Sequence, residues 1–166
     1  MMEHIDLIEV VFIACGYKDY LELGVWNGDN LARMAKHAQH AVGVDIVDIR
    51  NDKSTQFFLG KTDDFFESNT GMFDMIFIDA NHNYDCVKRD FVRSLKILTS
   101  QGTIIMHDTD PVSLKYLDEG YCSNAYKIIH DLRCNDQVDF VTLPMNEAGL
   151  TIVKHRNSER YLSFSK

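Results

Sequence analysis

The chain has 166 residues, 45 % of them hydrophobic, which is enough to bury a substantial core and is the size of one domain. Seventeen basic residues stand against 25 acidic ones, a net charge of −8, and no basic cluster offers a footprint for a phosphate backbone, so nucleic-acid partners are disfavoured. No apolar run approaches the eighteen or so residues of a membrane span, and the acidic start of MMEHIDLIEVVFIACGYKD argues against a secretory signal, so a cytoplasmic protein is expected. The four cysteines lie far apart without Cys-x-x-Cys spacing and read as reduced thiols.

In chain order, Ile5, Ile8, Val11 and Phe12 at helical spacing predict a short helix over 3–14. A buried strand over 20–25 follows, then a glycine loop, then a helix over 30–40 with Leu31, Met34, Ala35 and Ala38 on one face. AVGVDI at 41–46 is a second strand, QFFL at 56–59 a third, and a brief helix capped by Thr62 or Asp63 follows. FDMIFID at 73–79 is a fourth strand. A helix over 84–98 presents Val87, Phe91, Leu95 and Leu98, and Gln101-Gly102 is read as its stop. TIIM at 103–106 is a fifth strand, 123–132 a helix, and 138–143 and 150–154 two strands joined by a turn. Strand–helix alternation implies a Rossmann-like, doubly wound α/β sheet, and the last two strands, with no helix between them, an antiparallel hairpin at its edge. One domain is expected over 1–166: a leading helical segment at 1–19, a core at 20–154 and a tail at 155–166.

The acids are placed informatively. Glu22, Asp45, Asp79 and Asp108 all lie in or at the ends of apolar strands, and ligands bind at the carboxyl edge of an open parallel sheet. Any one of them could be a helix cap or turn former; the set, with His82 and His107 beside it, reads as a site. In YLELGVWNGDN (20–30), Gly24 would allow the tight turn after the first strand, and Gly28 would let a ligand approach the backbone. Asp45, 21 residues after Gly24, stands where a dinucleotide fold keeps the acid for ribose hydroxyls. The loop departs from Gly-x-Gly-x-x-Gly, however: Trp26 replaces the second glycine and would obstruct a pyrophosphate, and Glu22 would repel an anion. A cationic nucleoside cofactor meets neither obstacle.

These features resemble the class I S-adenosylmethionine-dependent methyltransferases: Glu-x-Gly-x-x-x-Gly, an acid closing the second strand, and the terminal hairpin. IDANHNYDCVKRDF (78–91) and GTIIMHD (102–108) are similar to a small-molecule O-methyltransferase subgroup with Asp-x-x-His-x-Tyr, among whose members are catechol and macrolide-sugar methyltransferases. The resemblance covers about 20–154 and implies a seven-stranded sheet of order 3-2-1-4-5-7-6. It implies that Gly24, Trp26 and Asn30 line the methionine part of S-adenosylmethionine, that Glu22 shapes the loop from below, and that Asp45 accepts the ribose hydroxyls. Thr62 and Asp63 match the stretch flanking the adenine, with a helix cap as the alternative for Asp63.

Asp79 and Asp108 match two ligands of a Mg²⁺-like ion in the metal-dependent relatives. His107 stands where those relatives carry an acid, which favours Mn²⁺ or another borderline ion over Mg²⁺ and leaves metal dependence open. His82 matches the general-base position, beside Asp79; capping the next helix, or touching adenine, is its alternative. His4, His37, His40, His130 and His155 are read as surface residues. The implied function is O-methylation of a small phenolic or sugar acceptor by in-line transfer. A non-catalytic cofactor-binding subunit and an NAD(P)-dependent oxidoreductase are the alternatives. Lys115, Tyr116 and Tyr121 are candidates for acceptor contact, or else part of a solvated loop. Only residues 1–19 precede the first strand, so the pocket is expected to be open or completed by another subunit, with homo-oligomer formation left open.

Overall fold

The computed structural model of the protein describes residues 3–156. The predicted tail lies outside the described residues from 157 onward. The elements are α1 (His4–Ala14), β1 (Asp19–Leu23), α2 (Asp29–Met34), β2 (His40–Asp45), β3 (Gln56–Leu59), α3 (Thr62–Ser68), β4 (Phe73–Ile78), α4 (Tyr84–Ile97), β5 (Leu98–His107), α5 (Ile128–Arg133), β6 (Val138–Leu143) and β7 (Leu150–His155). They form one seven-stranded sheet of order β3-β2-β1-β4-β5-β7-β6. β1 to β5 pair in parallel, and β7 runs antiparallel to both β5 and β6. This is the predicted Rossmann-like arrangement.

The central strands are apolar on both faces because both faces are covered. Leu21, Leu23, Ile76 and Ile78 point into one core, with Val87 and Phe91 of α4 and Ile128 and Leu132 of α5. Tyr20, Met75 and Phe77, one residue out of phase, point into the other, with Ile5, Ile8 and Phe12 of α1 and Leu31 and Met34 of α2. Arg33 of α2 clasps α1 through Asp6 (2.8 Å) and Glu9 (2.5 Å). No described helix is long and apolar enough to cross a membrane.

Three boundaries differ from the sequence reading. The helix predicted over 30–40 stops at Met34, because the amides of Gln39 and His40 are drawn to the carbonyl of Lys18 to start β2 beside β1. Gln101-Gly102 does not stop a helix. β5 already runs from Leu98, and a Cβ on Gly102 would lie 2.9 Å from the Asp74 carbonyl oxygen, so this glycine permits close strand approach. The helix predicted over 123–132 begins as a 3₁₀ turn at Ala125–Lys127, after Ser123 at φ +48°.

Nor do Thr62 and Asp63 cap α3. Its N-cap is Lys61; the Thr62 hydroxyl donates instead to Asp90 (2.8 Å) and Asp63 pairs with Arg89 (2.9 Å).

The sheet order reverses between β1 and β4, whose last residues Leu23 and Ile78 are in register. A crevice must open there, because the connections leave the two strands in opposite directions. Asp79 N–H donates to the Leu23 carbonyl (2.8 Å) and Gly24 N–H to that of Val44 (2.9 Å), so β1, β2 and β4 end level at its floor.

Candidate active site

A cavity of about 1300 Å³ occupies this crevice. Glu22, Gly24, Trp26, Asn30, Asp45, Thr62, Asp63, Asp79, His82, His107 and Asp108 all line it. Gly28, the remaining residue singled out in the sequence, does not.

The two loop glycines make room for protein. Gly24 has φ +86°, and a Cβ there would sit 2.2 Å from the Asp79 carbonyl oxygen. Gly28 has φ +83°, and its Cβ would meet Cγ of Arg50 at 2.8 Å. Arg50 is buried beneath the loop, paired with Asp48 (2.9 Å) and bonded to the carbonyl and hydroxyl of Thr55 (3.1 and 2.9 Å).

Asp45 organises the loop from the side. Its Oδ2 accepts from the amides of Val25 (2.8 Å) and Trp26 (3.1 Å), and its Oδ1 accepts from Val47 (3.2 Å). A carboxylate oxygen has two lone pairs, so Oδ1 keeps room for one more donor. Trp26, held at φ +49°, is 74 % exposed on the cavity rim. A left-handed non-glycine residue is uncommon, and here Asp45 holds it in place.

Glu22 is 1 % exposed and accepts from the Tyr20 hydroxyl (2.7 Å). Burial pushes its carboxyl up to about 8, reinforced by the charges of Asp79 and Asp45 and opposed by the tyrosine hydrogen bond. At neutral pH the floor of the cavity therefore carries a largely protonated acid, so Glu22 does not supply the repulsion of an anion expected from the sequence.

The consequence for stability has a definite sign. With a folded pKa above the ordinary carboxyl value, Glu22 contributes stability that is complete below about pH 4.5 and is lost as pH rises to about 8. Glu22→Gln keeps the shape and an acceptor for Tyr20. Urea denaturation across this window should show wild-type stability falling by on the order of 4 kcal/mol more than that of the variant. Parallel curves would contradict the assignment.

At the other end of the cavity Asp79, His82, His107 and Asp108 meet. His82 Nε2 is 3.5 Å from Asp79 Oδ1 and 3.1 Å from Asp108 Oδ2. His107 Nδ1 is 3.4 Å and 3.3 Å from the same two oxygens. One ligand atom each from Asp79, His82 and Asp108 lies within 4.8 Å of the others. His82 does not cap α4: that role falls to Asn83, whose side chain accepts from the Asp85 amide (3.0 Å). Nδ1 of His82 instead donates to the backbone carbonyl of Tyr121. With the Nδ1 proton committed, Nε2 faces two carboxylates. It either carries a second proton or shares a cation with them.

The charges follow this geometry. The hydrogen bond to Asp79 leads in raising His82 to about 9, with Asp108 and the Tyr121 carbonyl adding to it. Burial lowers His107, but Asp108 and Asp79 outweigh it and raise it to about 10. Burial likewise opposes the charge on Asp79, and hydrogen bonds from His107 and His82 overcome it, holding the carboxyl at about 2. Oδ2 of Asp108 is buried without a hydrogen bond of good geometry. His82 and His107 reach this oxygen only as ion pairs, so room remains there for a better-placed donor or a cation.

Three contributors escaped the sequence reading. His4, expected at the surface, packs its ring 4.8 Å from that of His107 and lines the cavity. Burial, with the charge of His107 adding to it, holds its pKa below the ordinary histidine value. The Tyr121 carbonyl that orients His82 has no side-chain signature at all. Cys122, buried behind the loop, has its thiol beside Asp108, and burial first and that carboxylate second push it up to about 12.

Residues 21–109 match the family model described as a methyltransferase domain, more than half of the chain. No curated protein matches the chain significantly. Among solved structures, the chain is similar to an O-methyltransferase from Bacillus cereus in complex with SAH, at 14 % identity and TM-score 0.75, over 94 % of this chain and 83 % of that one. It is similar to the SAH-bound methyltransferase PaMTH1 from Podospora anserina, at 15 % identity and TM-score 0.74, over 95 % and 80 %. It is also similar to the O-methyltransferase TomG from Streptomyces achromogenes, in complex with SAM, at 16 % identity and TM-score 0.69, over 91 % and 78 %. The structural likenesses carry the fold, and the family match decides between methyl transfer and the NAD(P)-dependent alternative. With its glycine loop, its fourth and fifth strands and its Asp–His cluster all inside the matched stretch, the chain belongs to the methyltransferase-domain family.

Proposed function

We propose that the protein transfers a methyl group from S-adenosylmethionine to a hydroxyl of a small phenolic or sugar acceptor, with a divalent cation assisting at Asp79 and Asp108. The observation that carries this reading is one continuous crevice with a glycine loop and Asp45 at one end and the Asp79–His82–His107–Asp108 cluster at the other. The sequence likeness to O-methyltransferases and the SAM or SAH bound by the similar structures support it.

The residues fit the cofactor. S-adenosylmethionine supplies an activated methyl on a cationic sulfur, so the protein has only to align an acceptor oxygen and remove its proton. Oδ1 of Asp45 keeps an acceptor position for a ribose hydroxyl, and Trp26 and Asn30 offer the wall for the methionine portion. Thr62 and Asp63 line the same cavity and are the residues this reading assigns to the adenine. The arginines on the wall, Arg33 and Arg89, are committed to Asp6, Glu9 and Asp63.

The residues also fit a divalent cation. Asp79, Asp108 and the His82 imidazole make a mixed oxygen–nitrogen donor set, with the buried Asp108 oxygen among them; His107, expected from the sequence as a further ligand, lies beside this set and not in it. Imidazole donors suit Mn²⁺ better than Mg²⁺. A bound ion would lower the pKa of an acceptor hydroxyl. His82, protonated up to about pH 9 by its two carboxylate neighbours, is a poor proton acceptor at neutral pH while both face it. Base duty for His82 therefore requires that this pairing be relieved.

The test is transfer of an isotopically labelled methyl from S-adenosylmethionine to a panel of catechols, sugar diols, amines and thiols, with added Mn²⁺ or with EDTA. Labelled product that rises with Mn²⁺ and falls with EDTA supports the full reading. Transfer indifferent to both removes the metal from it, and transfer only to amines or thiols contradicts the choice of acceptor.

A further inference from the structure

We propose that His4 is a positioning residue of the methyl-transfer centre, tying the cofactor loop to His107 through two separate contacts. The proposal rests on the methyl-transfer reading above.

The first contact is polar. Nε2 of His4 is 3.2 Å from Nδ2 of Asn30, the second residue of α2, just past the glycine loop. An amide NH₂ can only donate, so Nε2 holds a lone pair and the ring proton sits on Nδ1. The second contact is a ring contact. The His4 ring stacks over Phe77 at 5.9 Å and 18°, and lies against His107 at 4.8 Å and 56°. Phe77 meets His107 edge-on at 6.4 Å. The Asp79 and Asp108 carboxylates engage only the Nδ1 edge of His107, and one-edged contacts leave an imidazole free to swing. His4 packs against the ring at a tilt and Phe77 meets it edge-on, away from those carboxylate contacts.

The support for His4 is firm. Ile5, Ile8 and Phe12 bury α1 against the sheet, and Arg33 bridges α1 to α2. A side chain on this helix therefore has a fixed reference to both the loop and the end of β5. A residue that merely filled space would need neither the lone pair toward Asn30 nor a ring parallel to Phe77.

The two contacts can be separated. His4→Phe keeps an aromatic ring against His107 but loses the acceptor for Asn30. His4→Gln keeps an acceptor for Asn30 but loses the ring. His4→Ala loses both. Affinity for S-adenosylmethionine is read by calorimetry, and the His107 ring by its side-chain NMR signals. The expected result is an affinity roughly three- to tenfold weaker in His4→Phe, the size of one lost neutral hydrogen bond, with His107 signals in place. His4→Gln should hold affinity within about twofold of wild type while the His107 signals shift or broaden, and His4→Ala should show both effects. Unmoved His107 signals together with wild-type affinity in the phenylalanine and glutamine variants would overturn the proposal, as would identical behaviour of those two variants. Should the alanine variant fail to fold, the two conservative variants decide alone. Should wild type itself not bind S-adenosylmethionine, the methyl-transfer reading fails, and the NMR comparison separately decides whether His4 positions His107.

Discussion

Gly24→Ala should destabilise the protein by roughly 3–5 kcal/mol and abolish cofactor binding, whereas Gly28→Ala should cost less, about 2–3 kcal/mol. Both glycines have a positive φ, so both variants bear the left-handed penalty of an L-residue. They differ in what the new methyl meets. At Gly24 it meets backbone, the carbonyl oxygen of Asp79 at 2.2 Å and Cα of Ala80 at 2.5 Å, which belong to the stretch carrying Asp79 and His82. At Gly28 it meets Cγ and Cβ of Arg50 at 2.8 and 3.0 Å, side-chain atoms that can shift further than backbone, although the bonds of Arg50 to Asp48 and Thr55 limit how far. The larger penalty is a sizeable share of a typical domain's whole stability. Urea denaturation measures the order directly, and equal penalties would contradict the packing described between β1 and β4.

Asp79→Asn should lower methyl-transfer turnover by on the order of 10²–10⁴ while affinity for S-adenosylmethionine stays within about threefold. The substitution keeps the size of the side chain and removes its charge. His82 and His107 then face one carboxylate in place of two, and a divalent cation loses one of its two acidic ligands. The loop contacts made by Asp45 are left intact. Steady-state kinetics alongside calorimetry separates the two effects. Full turnover in this variant would remove the cluster from the chemistry, and loss of cofactor affinity equal to the loss of turnover would move Asp79 into the cofactor site.

The sheet was legible because its strands are buried on both faces. LELGV, FDMIFI and TIIM are apolar beyond what alternation with water would permit, and such runs, separated by helical patterns, admit few topologies. Helix ends were less legible, since tertiary contacts decide them. Ala35 to Ala38 have helical propensity, yet the chain there must turn to bring Gln39 and His40 to Lys18. The glycines were legible as constrained positions, but the cause was read differently: Gly28 yields to Arg50, which a local reading of the loop does not see.

The same holds in the site. Asp79, His82, His107 and Asp108 were visible because each closes or follows an apolar strand, and strand ends of a parallel sheet converge at one edge. Asp45 was assigned to ribose hydroxyls alone. That it also fastens Val25 and Trp26 follows from β2 lying beside β1, a pairing known only after the fold. His4 comes from the far side of the glycine loop in sequence, and the Tyr121 carbonyl from a loop of no regular pattern. Long-range contacts of this kind leave no spacing to read.

Parallel calorimetric titrations of the protein with S-adenosylmethionine and with NAD test the central claim most directly, with Trp26, the chain's one tryptophan, giving a fluorescence readout of the same event. The account predicts saturable binding of S-adenosylmethionine with a change in Trp26 emission, binding weakened about tenfold or more in Asp45→Ala, and no binding of NAD. Saturable binding of NAD with none of S-adenosylmethionine, or uptake of S-adenosylmethionine that leaves both Trp26 emission and the Asp45→Ala affinity unchanged, would contradict it.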